Sequence, residues 1–476
     1  METEDKLMLE LQACRECDVC RDLMNDSPCL VFNEMYQLFD RESNNGEPIT
    51  SEALQHLVEL CNFCEICPCP NIRAAILAAK TEFKERFGLN YRIRVLENVE
   101  RMGRICGARP KMSNYLLENK VTGKWIKKIF GIHEQSKIPN FPDHPFHKWS
   151  RTRQIDKKSE SRCKRKVAYF AGCTGSYLFP EVPKAVVEVL QCNGIDVFFP
   201  EQRCCGMPSL LEGDKKLTIA VVNFNVMHLS ELVEEGYDIV CSCPTCGYVF
   251  KHLIREGAVY AADYQAAVQK PQEESSQALL SVSPERGSDL RRKPFASGFA
   301  NNLFKDDQYF SPISGLKRIM VSDHTYDLGE YLRNLLVGGE LHTAFSPIDG
   351  ETAYYPPCHL REQKIGTPYL DLLGLVPGLS VAPITGDFHC CGNAGIMGFK
   401  SEFHRNALKI GSRLRARIKQ LAPERLMTDC LSCRMQFNQT MPYPVAHPIE
   451  ILRASYARHR EQKDEPAGRE SSACRR

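Results

Sequence analysis

The chain has 476 residues, 43% of them hydrophobic, enough for two to four domains with cores of their own. Lys and Arg number 61 against 59 Asp and Glu, which argues against nucleic acid as the main partner, because phosphate binding leaves a basic footprint. METEDKLMLE carries no apolar signal core, and no apolar run approaches the ~20 residues that cross a bilayer. A cytoplasmic protein is therefore expected, with any link to the inner face of a membrane supplied by a partner.

In chain order, residues 1–130 are expected to be helical, with EALQHLVEL (52–60) and IRAAILAAKTEFKERF (72–87) showing helical spacing. Two cysteine groups punctuate this region: Cys14, Cys17, Cys20 and Cys29, then Cys61, Cys64, Cys67 and Cys69. Residues 131–166, rich in Pro, His and charge and ending in a basic run, are expected to be a linker. That run is a solvated connector or a dock for an acidic partner. From 167 to 261 the pattern becomes strand, helix, strand, helix, strand (KVAYFAG, PEVPKAVVEVLQCNG, IDVFFP, 217–235, YDIVCS), the mark of a parallel α/β unit. Residues 262–317 are polar and aperiodic and read as a disordered insertion without cofactor contact. From 318 to 456 the earlier unit returns, through ETAYYPP, PYLDLLGL, LSVAPI, 403–420 and ERLMTDC. Residues 457–476 form a charged tail. The expected fold class is α+β and multidomain: a helical N-terminal domain followed by two repeated α/β cysteine-rich domains.

Of the 23 cysteines, ten recur in matched order. In the first copy 30 residues separate Cys173 from Cys204, and 37 separate Cys205 from the pair Cys243 and Cys246. In the second, 31 separate Cys358 from Cys390, and 38 separate Cys391 from Cys430 and Cys433. Each group follows a predicted strand, at the edge where open parallel sheets build their sites. Five thiols per copy exceed the four of a zinc site, and adjacent cysteines more easily reach two irons of a cluster than one ion. Zinc or free core cysteines are the competing reading. Gly206 and Gly392, after the adjacent pairs, let the backbone approach a cluster, and the segments MPSLLEGD and NAGIMGFK can turn N–H groups toward it.

The doubled C…CCG…CxxC element resembles the cysteine-rich domain pair in the B subunit of heterodisulfide reductase. Fused to an N-terminal ferredoxin-like region, it resembles the D subunit of the membrane-linked heterodisulfide reductase, the C subunit of anaerobic glycerol-3-phosphate dehydrogenase, and related components of lactate, glycolate and succinate oxidation complexes. The resemblance covers roughly 1–90, 167–256 and 320–455. It implies one non-cubane [4Fe-4S] cluster on Cys173, Cys204, Cys205, Cys243 and Cys246, and another on Cys358, Cys390, Cys391, Cys430 and Cys433. Both sets are complete, which keeps disulfide chemistry open.

Two-cluster ferredoxins complete each cluster with the distal cysteine of the other motif. That pattern implies one cubane on Cys14, Cys17, Cys20 and Cys69 and a second on Cys61, Cys64, Cys67 and Cys29. The chain departs from the usual Cx2Cx2Cx3CP spacing in both halves, so a single cubane is the alternative. His359 and His389 flank ligands and are candidate proton donors for disulfide reduction. Cys106, Cys163, Cys192, Cys241 and Cys474 fall outside the patterns.

The expected function is an electron-transfer subunit of an oxidoreductase, working with a flavoprotein and with a quinone-reactive or cytochrome subunit. No G-x-G-x-x-G opens a βα unit, so flavin or nicotinamide belongs to the partner. A catalytic disulfide reductase is the alternative, and a non-redox zinc scaffold the third reading.

Overall fold

A computed structural model describes residues 3–25, 27–61, 63–64, 67, 69–158, 165–268, 309–386 and 390–464. The N-terminal region is helical, as its periodicity predicts. Its first five helices are α1 (Thr3–Glu16), α2 (Asp18–Asn25), α3 (Leu30–Asn45), α4 (Ser51–Glu59) and α5 (Pro70–Phe87). Thr50 caps α4 by accepting from the Ala53 N–H, and Gly46 ends α3 in the left-handed region. Pro70 sits at the start of α5, where its missing N–H costs nothing. Four shorter helices follow, α6 (Tyr91–Leu96), α7 (Val99–Ala108), α8 (Pro110–Glu118) and α9 (Thr122–Ile129).

Each repeat then builds a four-stranded parallel sheet. The first has the order β2-β1-β3-β4, from β1 (Lys166–Phe170), β2 (Asp196–Phe198), β3 (Asp238–Cys241) and β4 (Thr325–Asp327). The second has the order β6-β5-β7-β8, from β5 (Gly350–Tyr354), β6 (Leu379–Pro383), β7 (Arg425–Met427) and β8 (Val445–Ala446). In both, the first strand of the repeat lies centrally and the chain winds outward in both directions. Cysteines at the carboxyl ends of these strands therefore converge at the point where strand order reverses. The repeat seen in the sequence is a repeat of topology, with β4 and β8 as edge strands the sequence reading did not include; β4 falls in the stretch from 318 expected to open the second repeat, yet it pairs with β3 and completes the first sheet. The helical stretch expected over 403–420 divides at Gly411 into His404–Ile410 and Ser412–Leu421.

The repeats share their cores. Val167, Tyr169 and Val186 of the first cluster with Tyr354, Tyr369 and Ile449 of the second. The N-terminal helices dock on the second repeat, where Leu7, Phe39, Leu57 and Phe83 join Met397, Phe403 and Ile410.

Two segments differ from expectation. Residues 131–158 pack as a strap: Phe141, Phe146 and Ile155 are buried, Asn114 bonds both backbone groups of Phe141, and His133 N–H donates to Phe399 O at 2.8 Å. Isolated apolar residues among Pro and His have no periodicity, so burial there is invisible in sequence. Of the insertion 262–317, the two ends are built into the first repeat. Ala262–Val268 is a helix, its Asp263 accepts from Ser314 Oγ at 2.5 Å and Gly315 N–H at 3.0 Å, and Tyr309, Phe310 and Ile313 are buried. Residues 269–308, with most of the insertion, lie outside the described residues, as do most of the basic run and 465–476.

Candidate metal centre

The local sequence explains where each thiol stands. Cys173 follows β1 in the short helix Gly172–Tyr177, entered by Gly172 at φ +68°, and a Cβ on Gly172 would come within 3.0 Å of Cys246 Sγ. Cys204 and Cys205 end the loop after β2, and Gly206, at φ +91°, turns the chain into the helix Met207–Glu212. Cys243 and Cys246 flank the start of the helix Pro244–Tyr248 after β3. In the second repeat Gly392, at φ +87°, has Ala407 O 2.1 Å from where a Cβ would lie. Both glycines are required by their left-handed conformation, and Gly392 also by the close approach of the Ala407 backbone, whereas the neighbour of Gly206 is a side-chain methyl of Val222.

Nine of the ten repeat thiols form one continuous run of contacts, with Cys358 close enough to act electrostatically on Cys391. Cys173 Sγ lies 3.4 Å from Cys204 Sγ. Hydrogen bonds then join Cys204 to Cys205, Cys205 to Cys246 and Cys246 to Cys243. Cys243 meets Cys430 across the boundary between repeats. The run continues through Cys433 and Cys391 to Cys390. It ends at Cys64 of the N-terminal region, which bonds Cys390. The repeats mirror one another, since the second cysteine of each adjacent pair meets the second of each CxxC.

The electrostatics repeat too. Hydrogen bonds from Cys204 and Cys246 bring the Cys205 thiol down to about 6. Those from Cys390 and Cys433 bring Cys391 down to about 6 as well. Cys243, bonded by Cys246 and Cys430, is also held well below its ordinary range. Backbone N–H groups add to this: Gly206 bonds Cys204, Met207 bonds Cys205, Leu431 bonds Cys243, and Gly392 N–H donates to Cys390 Sγ at 3.3 Å. Of these donors only Met207 lies in a segment the sequence reading named; Gly206 and Gly392 are the glycines of the CCG elements themselves, and Leu431 lies inside the second CxxC.

The N-terminal cysteines fall into two neighbourhoods. Cys14 and Cys17 both bond Cys20, with Cys69 close enough to act on Cys14 and Cys20 electrostatically. Cys29, Cys61, Cys64 and Cys67 line a single cavity with Phe63 and Arg73. Burial pushes Cys29 up to about 12 and raises Cys61.

His359 is buried. Its Nδ1 lies 2.9 Å from Thr245 Oγ1, its ring also bonds the Phe63 backbone, and it stacks on Tyr248 at 5.2 Å. Burial lowers it to about 4, so it is neutral at pH 7. His389 lies outside the described residues, as do Cys163 and Cys474. Cys241 is buried on β3, and Cys106 and Cys192 are half-buried, packed beside the core shared by the repeats.

The sequence reading missed several supports. Thr245, inside the CxxC of the first repeat, has its hydroxyl 3.7 Å from Cys430 Sγ, and its position between two ligands was the available signal. Gln363 Nε2 donates to Pro244 O at 3.0 Å, and Arg73 pairs with Glu362 between the N-terminal region and the second repeat. In each repeat the tyrosine of the central strand holds the residue before the CxxC: Tyr169 OH lies 2.8 Å from Ser242 Oγ and Tyr354 OH 3.0 Å from Asp429 Oδ2.

The donors suit an iron–sulfur core by their chemistry. They are soft thiols, five per repeat, nine of the ten bonded to another thiol and several to backbone N–H groups. Among the described residues, no three His, Cys, Asp or Glu side chains form the tight group that would hold a single ion.

The family described as "Cysteine-rich domain" (CCG) matches residues 167–251 and 352–438. The chain is 23% identical to the C subunit of anaerobic glycerol-3-phosphate dehydrogenase from Escherichia coli K12, over 76% of this chain and 76% of that one. It is 23% identical to the B subunit of fumarate reductase (CoM/CoB) from Methanothermobacter marburgensis, over 61% of this chain and 47% of that one. It is 24% identical to lactate utilization protein A of Bacillus pumilus, over 49% of this chain and 75% of that one. The chain carries two CCG cysteine-rich domains and is related over most of its length to the C subunit of anaerobic glycerol-3-phosphate dehydrogenase.

Proposed function

We propose that this protein is an iron–sulfur subunit of an oxidoreductase complex, relaying electrons between a flavoprotein and a downstream acceptor such as a quinone-reactive or cytochrome subunit. The single observation that carries this reading is the unbroken run of thiol contacts from Cys173, through both repeats, to Cys64. A relay needs cofactors spaced along a path, and the run supplies thiols along one that joins the N-terminal region to both repeats. Bound clusters would supply one-electron exchange.

On this reading Cys173, Cys204, Cys205, Cys243 and Cys246 hold one non-cubane cluster, and Cys358, Cys390, Cys391, Cys430 and Cys433 the other. Cys14, Cys17, Cys20 and Cys69 hold one cubane, and Cys29, Cys61, Cys64 and Cys67 the second, in line with the two neighbourhoods described above. His359, neutral and bonded to Thr245 and Phe63, positions the junction between the second cubane and the repeats; a proton-donor role is not supported by its burial.

A disulfide reductase is the second reading. It is favoured by the meeting of Cys243 and Cys430, which brings both ligand sets to one boundary.

Anaerobic purification with iron and sulfide analysis tests the common ground, with about sixteen irons expected for four clusters. Zinc with only trace iron and sulfide would end it. EPR of the reduced protein mixed with small disulfides separates the two readings. A signal that depends on thiol or disulfide supports the reductase. Its absence, with rapid electron exchange with a flavoprotein, supports the relay.

A further inference from the structure

The N-terminal helices present an outer surface that no other part of the described chain covers. Ile105, Met112, Tyr115, Val121, Trp125 and Ile129 are each at least half exposed, from 50% to 67%. No residue of α8 is buried. Val121, Trp125 and Ile129 follow at i, i+4 and i+8, which puts them on one face of α9. The turn between α8 and α9 is rigid: Asn119 Oδ1 accepts from the N–H groups of Val121 and Thr122, and Thr122 Oγ1 donates to Leu116 O at 2.7 Å. Leu117 and Asn114 hold the hairpin from its inner side, Leu117 against the core shared by the repeats and Asn114 on the buried Phe141, which leaves this face outward.

Charge is concentrated in the same place. Residues 105–130 hold six basic side chains (Arg109, Lys111, Lys120, Lys124, Lys127, Lys128) against one acid, Glu118, a balance of +5 in a chain whose total is +2. Lys128 Nζ stands 5.9 Å over the Trp125 ring. Lys124 pairs with Glu134 at 3.1 Å, with both side chains well exposed, a pair too screened to neutralise the surface.

We propose that α8 and α9, with Ile105 of α7, form a membrane-contact surface that lies on anionic lipid headgroups. Lysine interleaved with apolar residues, as in KWIKKI, discriminates between occupants. Protein interfaces deplete lysine from their centres. A bilayer surface accepts it, because the stem lies along the acyl boundary while the ammonium reaches phosphate, and Trp and Tyr favour the same depth. No helix among the described residues is long and apolar enough to cross a membrane, so the contact is interfacial. This inference rests on exposure and charge alone and is independent of what the cysteines bind.

The test is co-sedimentation of the full-length, anaerobically purified protein with vesicles of phosphatidylcholine, with and without about a third phosphatidylglycerol. Trp fluorescence is read in parallel, since Trp149, the second of two tryptophans, is packed against Phe146 at 5.5 Å. The protein pellets with anionic vesicles and its emission shifts to the blue. The triple variant Lys120→Gln, Lys124→Gln, Lys128→Gln loses roughly fivefold in partitioning per charge at low salt. The double variant Trp125→Ser, Ile129→Ser loses at least about tenfold at low and high salt alike. Unchanged melting temperature and metal content in both variants excludes misfolding as the cause. Wild-type protein left in the supernatant, or variants that pellet as well as wild type, overturns the proposal. So does loss of a co-purifying acidic protein from both variants without any vesicle binding.

Discussion

Thr245 Oγ1 stands 2.9 Å from His359 Nδ1 and reaches from there toward Cys430, 3.7 Å away. The threonine comes from the CxxC of the first repeat and the histidine from the residue after the first ligand of the second. One hydroxyl therefore ties both ligand sets together. With the His359 ring bonded on its other side to Phe63, the same chain of bonds reaches the loop between Cys61 and Cys64.

Thr245→Val keeps the shape of the side chain and removes the hydroxyl. Hydrogen bonds near cluster sulfurs stabilise the reduced state, so a midpoint potential of the repeat clusters falls by roughly 20–60 mV, with iron content unchanged. An EPR-monitored redox titration measures it, and an unshifted midpoint would show that the hydroxyl acts only as a structural tie.

Cys205→Ser and Cys391→Ser each remove the thiol that accepts two hydrogen bonds in its repeat. Each variant is expected to lose about a quarter of the iron and to keep the N-terminal EPR signals, on the four-cluster ligand arithmetic. Loss of all signals from either variant would contradict separate ligand sets.

Gly392→Ala is the more damaging of two matched substitutions. Both Gly392 and Gly206 have positive φ, which costs an alanine roughly 1–3 kcal/mol. At Gly206 the new Cβ meets a side-chain methyl of Val222 at 2.9 Å, which can shift; at Gly392 it meets backbone, Ala407 O, at 2.1 Å. Gly206→Ala folds with a lowered melting temperature, whereas Gly392→Ala yields little soluble protein. Equal yields would mean that the Gly392 loop relaxes freely.

Lys400 and Glu212 form a buried pair at 2.8 Å, and Lys400 also approaches Glu59 at 3.9 Å. Burial opposes the charge of Glu59, but Lys80, Lys400 and Lys84 outweigh it and hold the carboxyl down to about 2. Lys400→Met leaves these carboxylates without their shared cation and destabilises the fold by about 3–5 kcal/mol. Denaturant unfolding checks it; a loss under about 1 kcal/mol would show that Lys80 and Lys84 suffice.

Glu97 titrates in the opposite sense. Burial, then the neighbouring Asp214 and Glu212, raise it from 4.5 to about 9. The folded chain thus holds a proton that the unfolded chain releases, so this residue's contribution falls as pH rises from 4.5 toward 9, by up to about 1.4 kcal/mol per pH unit. Glu97→Gln removes the dependence: its melting temperature exceeds wild type at pH 8 and converges with it near pH 5. Parallel melting curves across that range would refute the assignment.

Most of the candidate thiol set could be picked out in the sequence because its spacing is local. Each CCG and CxxC follows a strand, and alternating strands and helices of the right length place that strand end at the sheet's carboxyl edge. Matched spacing in the two copies made the repeat plain. Short or isolated features were not legible. β4 has three residues and β8 two, and neither length carries a period. The packed strap 131–158 was expected to be a linker for the same reason.

By itself the sequence determined two cysteine-rich α/β repeats, a helical N-terminal region, and thiol groups suited to iron and sulfide. Only the tertiary structure decided that Cys243 meets Cys430, that Cys64 meets Cys390, that His359 is held between Thr245 and Phe63, and that Met112, Tyr115, Trp125 and Ile129 of α8 and α9 face outward. Spacing along a chain records the path from one strand to its own loop. Contacts between residues hundreds of positions apart depend on how whole sheets and helices dock. Docking is set by burial summed over many side chains, such as those shared by the two repeats around Tyr169 and Tyr354, and no single segment carries its signature.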